Sequence, residues 1–228
     1  MKSKSYLGIS FIVMIFAILV VPKIISRIEN NQVLDNDRLN YGINKSENTK
    51  SDLVIIGAAP DFELTNQYNQ KTTLARFKNK VTVVEFFFST CPTICPKMNA
   101  NMLVLQDFFK AESDFAIASI TINPQHDTLE VLLAHAEHLG VTNPNWLFLT
   151  GDRDYIMNIA NKGYNLYAAQ NENVAGGFEH SGMFALLDKQ GRIRCRKDDF
   201  GNPILYYDGI EQSGIEQLKH DINKLLQE

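Results

Sequence analysis

Residues 81–110 read VTVVEFFFSTCPTICPKMNANMLVLQDFFK. The opening VTVVEFFF is a continuous run of β-branched and aromatic residues, the pattern of a strand buried on both faces. Met102, Leu105 and Phe109, with Leu103 and Gln106, recur at helical spacing and predict a helix from about Cys95 to Lys110. Between strand and helix stands Cys91-Pro92-Thr93-Ile94-Cys95-Pro96.

The same alternation continues on both sides. Downstream, FAIASITI (115–122) and NWLFLT (145–150) predict two more strands. Between them Asp127 is placed to cap a helix, with Glu130 three residues on and Leu129, Leu132, Leu133 and Ala136 as its apolar stripe. DRDYIMNIANKG (152–163) predicts a helix ended by Gly163. NLYAA, MFALLD and RIRCR supply further strands, the last two joined by a turn at Lys189-Gln190-Gly191, and residues 213–227 close with an amphipathic helix. Upstream, LVIIG (53–57) is a β-branched run, and PDFELTNQYNQKTTL turns at Asn69-Gln70 as a hairpin would. The order is that of an α/β domain: a mixed, partly parallel sheet with helices on both faces.

The 228 residues include 45% hydrophobic and 21% charged side chains, which excludes general disorder. A net charge of −4 gives no basic excess for nucleic acid. Three cysteines are too few for a disulfide scaffold. From Tyr6 to Ile25 the chain carries a single charge, Lys23, over a length of roughly 20 residues that suits a transmembrane helix. No A-x-A site follows it and no Cys stands ready for a lipid, so an uncleaved anchor is expected rather than a signal peptide. Lys2 and Lys4 before it, and Lys23 and Arg27 after it, leave orientation to the default for so short a leader: a single pass through the inner membrane with the C-terminal bulk in the bacterial periplasm. The expected divisions are a cytoplasmic start and anchor over 1–25, an Asn-rich tether over 26–51, and one domain over 52–228.

The cysteine pair carries the strongest chemical signal. Backbone N–H groups at a helix start favour negative charge and so lower a thiol pKa. Cysteines four positions apart there can present both sulfurs on one side. Two such thiolates can close a disulfide or grip a soft cation, since thiolates select Cu(I) and compete well for Zn. Pro92 and Pro96 lack an N–H and stiffen the turn. The competing reading is a pair of buried, inert cysteines; the spacing, the strand-to-helix junction and a site outside the cytoplasm speak against it.

Two thiolates leave copper under-coordinated, so a third ligand is wanted. His138 points away from the leucine stripe of its helix, and AHAEHLG, which also holds His135, is not an H-E-x-x-H zinc site. His220 belongs on the surface of the closing helix, and His126 serves the turn before a cap. His180 follows Gly176-Gly177-Phe178-Glu179 and leads into MFALLD, so a Gly-rich loop can bring its ring over a neighbouring one. Alone it reads as a structural histidine; beside the cysteine pair it is the candidate third ligand. Strand alternation puts Arg192, Arg194 and Arg196 on one face and Ile193 and Cys195 on the other, making Cys195 a core-facing thiol.

FFFSTCPTICP (86–96), SITINPQHDT (119–128), LTGDRDYI (149–156) and EHSGMFALLDKQG (179–191) together resemble the Sco/SenC family of membrane-anchored copper proteins. The resemblance implies a thioredoxin-like fold and one copper site, Cu(I) or Cu(II), whose ligands fall here on Cys91, Cys95 and His180. It implies work on the dinuclear copper centre of cytochrome c oxidase, with subunit II or another copper protein as target: delivery of copper, reduction of the target's cysteines, or both. Thr93 stands where the family often has Asp, and Asn123-Pro124 where it has Asp-Pro. Three activities are therefore open. A copper chaperone needs all three ligands. A thiol–disulfide oxidoreductase, served by a thiol reductant, needs only Cys91 and Cys95 as its couple. A thiol peroxidase needs an activated Cys and a polar pocket, and no Arg stands near the motif to build one.

Overall fold

The computed structural model describes residue 10, residues 13–22 and residues 51–228. Residues 13–22 are helical (α1), with Val13, Phe16, Ile18 and Leu19 exposed. The rest of the expected anchor, and the expected tether up to residue 50, lie outside the described residues. Among the described residues no helix is long and apolar enough to cross a membrane. The chain divides into two units, Met1–Gly42 and Ile43–Glu228, and the sheet with its helices belongs to the second.

The apolar run quoted above forms β4 (Val81–Phe87), and every one of its residues is buried. It pairs in parallel with β5 (Phe115–Thr121), also buried throughout, and β5 pairs in parallel with β6 (Trp146–Thr150). Two crossovers make these pairings possible: α2 (Cys95–Phe108) between β4 and β5, and α3 (Leu129–Leu139) between β5 and β6. Beyond β6 lie β2 (Glu63–Asn66) and β3 (Lys71–Thr73), the expected hairpin, whose turn holds Asn69 at φ 58°. On the other side of β4 come β9 (Met183–Leu187) and β10 (Arg192–Lys197), antiparallel and joined through Gly191 at φ +75°. The LVIIG run, β1 (Val54–Ala58), pairs with β10 and so lies at the far edge from the hairpin that follows it in sequence. The order is β1-β10-β9-β4-β5-β6-β2-β3. Two short strands the sequence did not announce, β11 (Pro203–Ile204) and β12 (Tyr207–Asp208), add to β10 and β9.

Helices cover both faces, and β4 shows it with adjacent residues. The Phe87 ring stacks on His135 of α3, with centroids 5.6 Å apart. The Phe86 ring meets Tyr164 edge-on at 5.8 Å. Tyr164 follows α4 (Arg153–Asn158), whose last turn widens to a π-helix over Ile159–Gly163 rather than stopping on a glycine cap. The closing helix α5 (Gln212–Leu226) buries Ile215, Leu218, Ile222 and Leu225 on one stripe. Each such side chain removed from water contributes about 1.5–3 kcal/mol.

One local expectation is corrected. The cap of α3 is Thr128, whose hydroxyl accepts from the Val131 N–H, and Gly140 at φ +80° ends the helix. Asp127 is fully buried instead and bonds to other segments. Cys195 faces the core as expected, and on the opposite face Arg194 is fully buried as well, bonded to Asp188 and Glu228. A buried guanidinium keeps its charge only with such partners.

Candidate metal centre

The cysteine loop is short because β4 stops abruptly. Its turn closes when the Cys91 N–H donates to Phe88 O at 3.2 Å. Ile94 stands at the N-cap of α2, where it offers no side-chain acceptor, and Pro96 occupies the first turn. Pro96 has no N–H and the Lys97 and Met98 amides donate to Ile94 O, so the helix start supports the Cys91 sulfur through the Cys95 N–H, and that favours a thiolate.

His180 arrives from a separate hairpin. It ends β8 (Phe178–His180), which pairs with β7 (Ala168–Gln170) apart from the main sheet. The sequence put His180 at the head of MFALLD; a break at Ser181-Gly182 makes two strands of it. Asn161 braces the hairpin by donating to Ala168 O and accepting from Ala168 N–H. Tyr167 and Asn171 both donate to the Glu179 carboxylate. Gly176, at φ +89°, lets this loop lie against the cysteine turn: a Cβ there would stand 2.9 Å from the Phe88 ring and 3.1 Å from Pro92.

The ligand atoms of Cys91, Cys95 and His180 all lie within 4.8 Å of one another. His180 Nδ1 is 3.0 Å from Ser181 O, which can only accept, so Nδ1 carries a proton and Nε2 is aimed at sulfur. Nε2 lies 3.0 Å from Cys95 Sγ. The Thr93 hydroxyl is 3.5 Å from Cys91 Sγ. The ring packs edge-on to Phe88 at 5.8 Å. A cavity of about 260 Å³ opens over the cluster, walled by Phe88, Ile94, Val174 and Phe178.

The two thiols are not equivalent. Burial pushes Cys91 up, but hydrogen bonds from His180, the Cys95 and Thr93 amides and the Thr93 hydroxyl outweigh it and bring the thiol down to about 5. Cys95 is deeper, and burial followed by the neighbouring charge of Cys91 raises it well above the ordinary thiol range. One imidazole serves both sulfurs: it hydrogen-bonds the Cys91 sulfur, and its Nε2 stands 3.0 Å from that of Cys95.

Glu85 extends this electrostatics below the site. It is fully buried on β4 opposite Ser119, whose hydroxyl donates to Oε1 at 2.6 Å and accepts from Trp146 Nε1–H at 2.9 Å. Oε2 has no hydrogen-bond partner among the described residues. Burial raises the carboxyl to about 7 against the pull of Ser119 and His180.

Of the other candidates, His138 and His220 are exposed and His135 is half-buried on α3. His126 sits at the mouth of the cysteine loop, with Nδ1 2.9 Å from Asp127 Oδ1 and 3.3 Å from Ser89 Oγ. The Asn123 N–H donates to the Thr121 hydroxyl. Sequence reasoning passed over Glu85 and Ser89 and misread Asp127. A lone carboxylate inside VTVVEFFF was the available signal for Glu85; Asp127 carried a false one, since Asp before a helix reads as a cap.

Fold and cluster together define a thioredoxin-like α/β domain that presents two cysteines and a histidine at one loop junction. A family model described as SCO1/SenC matches residues 56–213, and the chain belongs to that family. It is 29% identical over 163 residues to the SCO1 protein homolog of Bacillus subtilis, covering 71% of this chain and 79% of that one. The crystal structure of a SCO1/SenC family lipoprotein from Bacillus anthracis superposes with a TM-score of 0.65 at 29% identity, over 74% of this chain and 95% of that one. BsSco, described as a member of the Sco family of cytochrome c oxidase assembly proteins with a disulfide switch, superposes at 0.64 and 26% identity, over 77% of this chain and 96% of that one. Bradyrhizobium japonicum ScoI, solved with copper bound, shares the fold at 0.55 and 20% identity, over 74% of this chain and 99% of that one.

Proposed function

We propose that this protein is a copper chaperone that binds one copper ion through Cys91, Cys95 and His180 and hands it to the dinuclear copper site of cytochrome c oxidase during assembly. The convergence of two sulfurs and an imidazole nitrogen within 4.8 Å supports the reading most directly. A donor set of two thiolates and one imidazole suits Cu(I), and its softness disfavours hard cations. Membership of the SCO1/SenC family and likeness to BsSco, described as a member of the Sco family of cytochrome c oxidase assembly proteins, support the choice of target. Metal uptake requires Cys95 to lose its proton, so loading releases protons and weakens as the pH falls. Transfer proceeds by exchange of these ligands for a partner's thiolates at the open cavity. The apolar run from Tyr6 to Ile25 is read as the anchor that holds the domain at the outer face of the inner membrane, in the periplasm.

The test is a Cu(I) titration of the full chain under reducing conditions. The proposal expects one equivalent bound, with Cys91→Ala, Cys95→Ala and His180→Ala each weakening it severely. Wild-type affinity in His180→Ala refutes the three-ligand site.

A second reading, reduction of the target's cysteines, is favoured by the thiol asymmetry: the Cys91 thiolate suits attack on the target's disulfide, and Cys95, held as the thiol until then, resolves the mixed disulfide after giving up its proton, leaving Cys91–Cys95 oxidised and the target reduced. Disulfide reductase activity that survives His180→Ala while copper binding is lost separates the two.

A further inference from the structure

The ligand loop is fastened from beneath by one carboxylate. Asp127 is fully buried and receives four donors. Oδ2 accepts from the Ser89 N–H at 3.1 Å and from the Thr121 hydroxyl. Oδ1 accepts from the Ser89 hydroxyl and from His126 Nδ1–H at 2.9 Å. That fills the lone-pair capacity of a carboxylate. The Thr121 hydroxyl in turn accepts from the Asn123 N–H at 3.0 Å, and Asn123 O accepts from the Asp127 N–H at 2.9 Å. The end of β5 is thus folded into a closed knot around the carboxyl group. Ser89, the other party to the knot, lies two residues before Cys91. Helix capping does not account for the arrangement, because Thr128 performs it.

We propose that Asp127 is a positioning residue for copper binding: by clasping Ser89 through both backbone and hydroxyl, it holds the Cys91 sulfur within reach of Cys95 and His180 before a cation arrives. The inference rests on the copper-binding reading above. Outer partners that fix ligand geometry are typically worth about 10–100-fold in metal affinity. Asn is the most informative replacement. It is nearly isosteric, but its NH₂ group turns a donor toward at least one of the four donors now converging on the carboxylate, and Ser89 loses part of its hold.

The test compares full-chain wild type with Asp127→Asn, Ser89→Ala and Asp221→Asn. Asp221 is an equally buried carboxylate, bonded to Tyr207 away from the cluster, so its variant reports nonspecific loss of stability. Cu(I) affinity is read by competition with a chromophoric chelator, and the Cu(II) form by its sulfur-to-metal charge-transfer band. Asp127→Asn is expected to bind about 10–100-fold more weakly with an altered band. Ser89→Ala, which keeps the backbone bond, is expected to fall between it and wild type, and Asp221→Asn to keep wild-type affinity and band. Alkylation of Cys91 in metal-free protein by iodoacetamide supplies a readout independent of copper, expected to change severalfold in Asp127→Asn. Folded Asp127→Asn with wild-type affinity, band and alkylation rate overturns the proposal. If Asp127→Asn does not fold, a wild-type result from Ser89→Ala in all three readouts overturns it. If wild type binds no copper, the chaperone reading fails, and the alkylation rate alone decides for or against the positioning role.

Discussion

In the metal-free protein the sulfur nearer the surface carries the charge and the deeper one carries the proton. Cys91, lowered to about 5, is expected to react with one equivalent of iodoacetamide at pH 7 while Cys95 does not, which peptide mass mapping checks directly. Labelling at Cys95 first contradicts the assignment. Glu85 gives a second prediction, on stability. Its folded carboxyl is raised from 4.5 to about 7, so folding favours its protonated form. The stabilisation relative to an ionised group is complete below about pH 4.5 and is lost as the pH rises to about 7. A shift of that size corresponds to about 3 kcal/mol. Glu85→Gln keeps the Ser119 bond without the charge, so its stability relative to wild type is expected to rise by that order between pH 4.5 and 7.5 in urea unfolding. Parallel curves for the two proteins contradict the buried-acid account.

The β7–β8 hairpin is the element that completes the site, and its loop depends on Gly176. Gly176→Ala introduces a side chain at φ +89° against the Phe88 ring, at a cost of about 1–3 kcal/mol. The loop can relieve the contact only by lifting away from Cys91, so copper affinity is expected to fall together with stability, whereas Gly201→Ala, at φ +85° with open space around it, is expected to lose stability alone. Equal affinities in the two variants contradict the role given to the loop. The same hairpin shows where sequence reasoning stops. Long elements with uninterrupted burial, β4, β5 and β6, declare themselves by composition, and α5 by its stripe. NLYAA announced β7, but β8 is three residues long, too short for any periodicity, and the hairpin is braced by Asn161 from outside it and by Asn171 in its own loop. The cysteines were legible because their spacing and junction are local. His180 was legible only beside them, and Asp127 was not, because Ser89 and Thr121, which supply three of its four donors, lie 38 and 6 residues away and none of these bonds is visible along the chain.

Across the whole domain, two buried charge systems hold opposite ends of the architecture. Arg194 on β10 donates to Asp188, Glu228, Ser51 and Leu53 O, tying the entrance of the domain to its last helix. Removing one partner leaves buried charges uncompensated, so Arg194→Ala is expected to cost about 3–5 kcal/mol in urea unfolding while leaving copper stoichiometry at one. A loss below 1 kcal/mol contradicts that role. The other end, where the β4–α2 turn meets the β7–β8 hairpin, gives up regular capping and pairing in exchange for three convergent ligands. The most direct measurement is X-ray absorption of the Cu(I)-loaded full chain. The account predicts two sulfur scatterers at about 2.3 Å and one nitrogen at about 2.0–2.1 Å, the order of ordinary thiolate and imidazole bonds to a first-row metal ion, with the nitrogen lost in His180→Ala. A spectrum with sulfur alone, unchanged by that substitution, contradicts it.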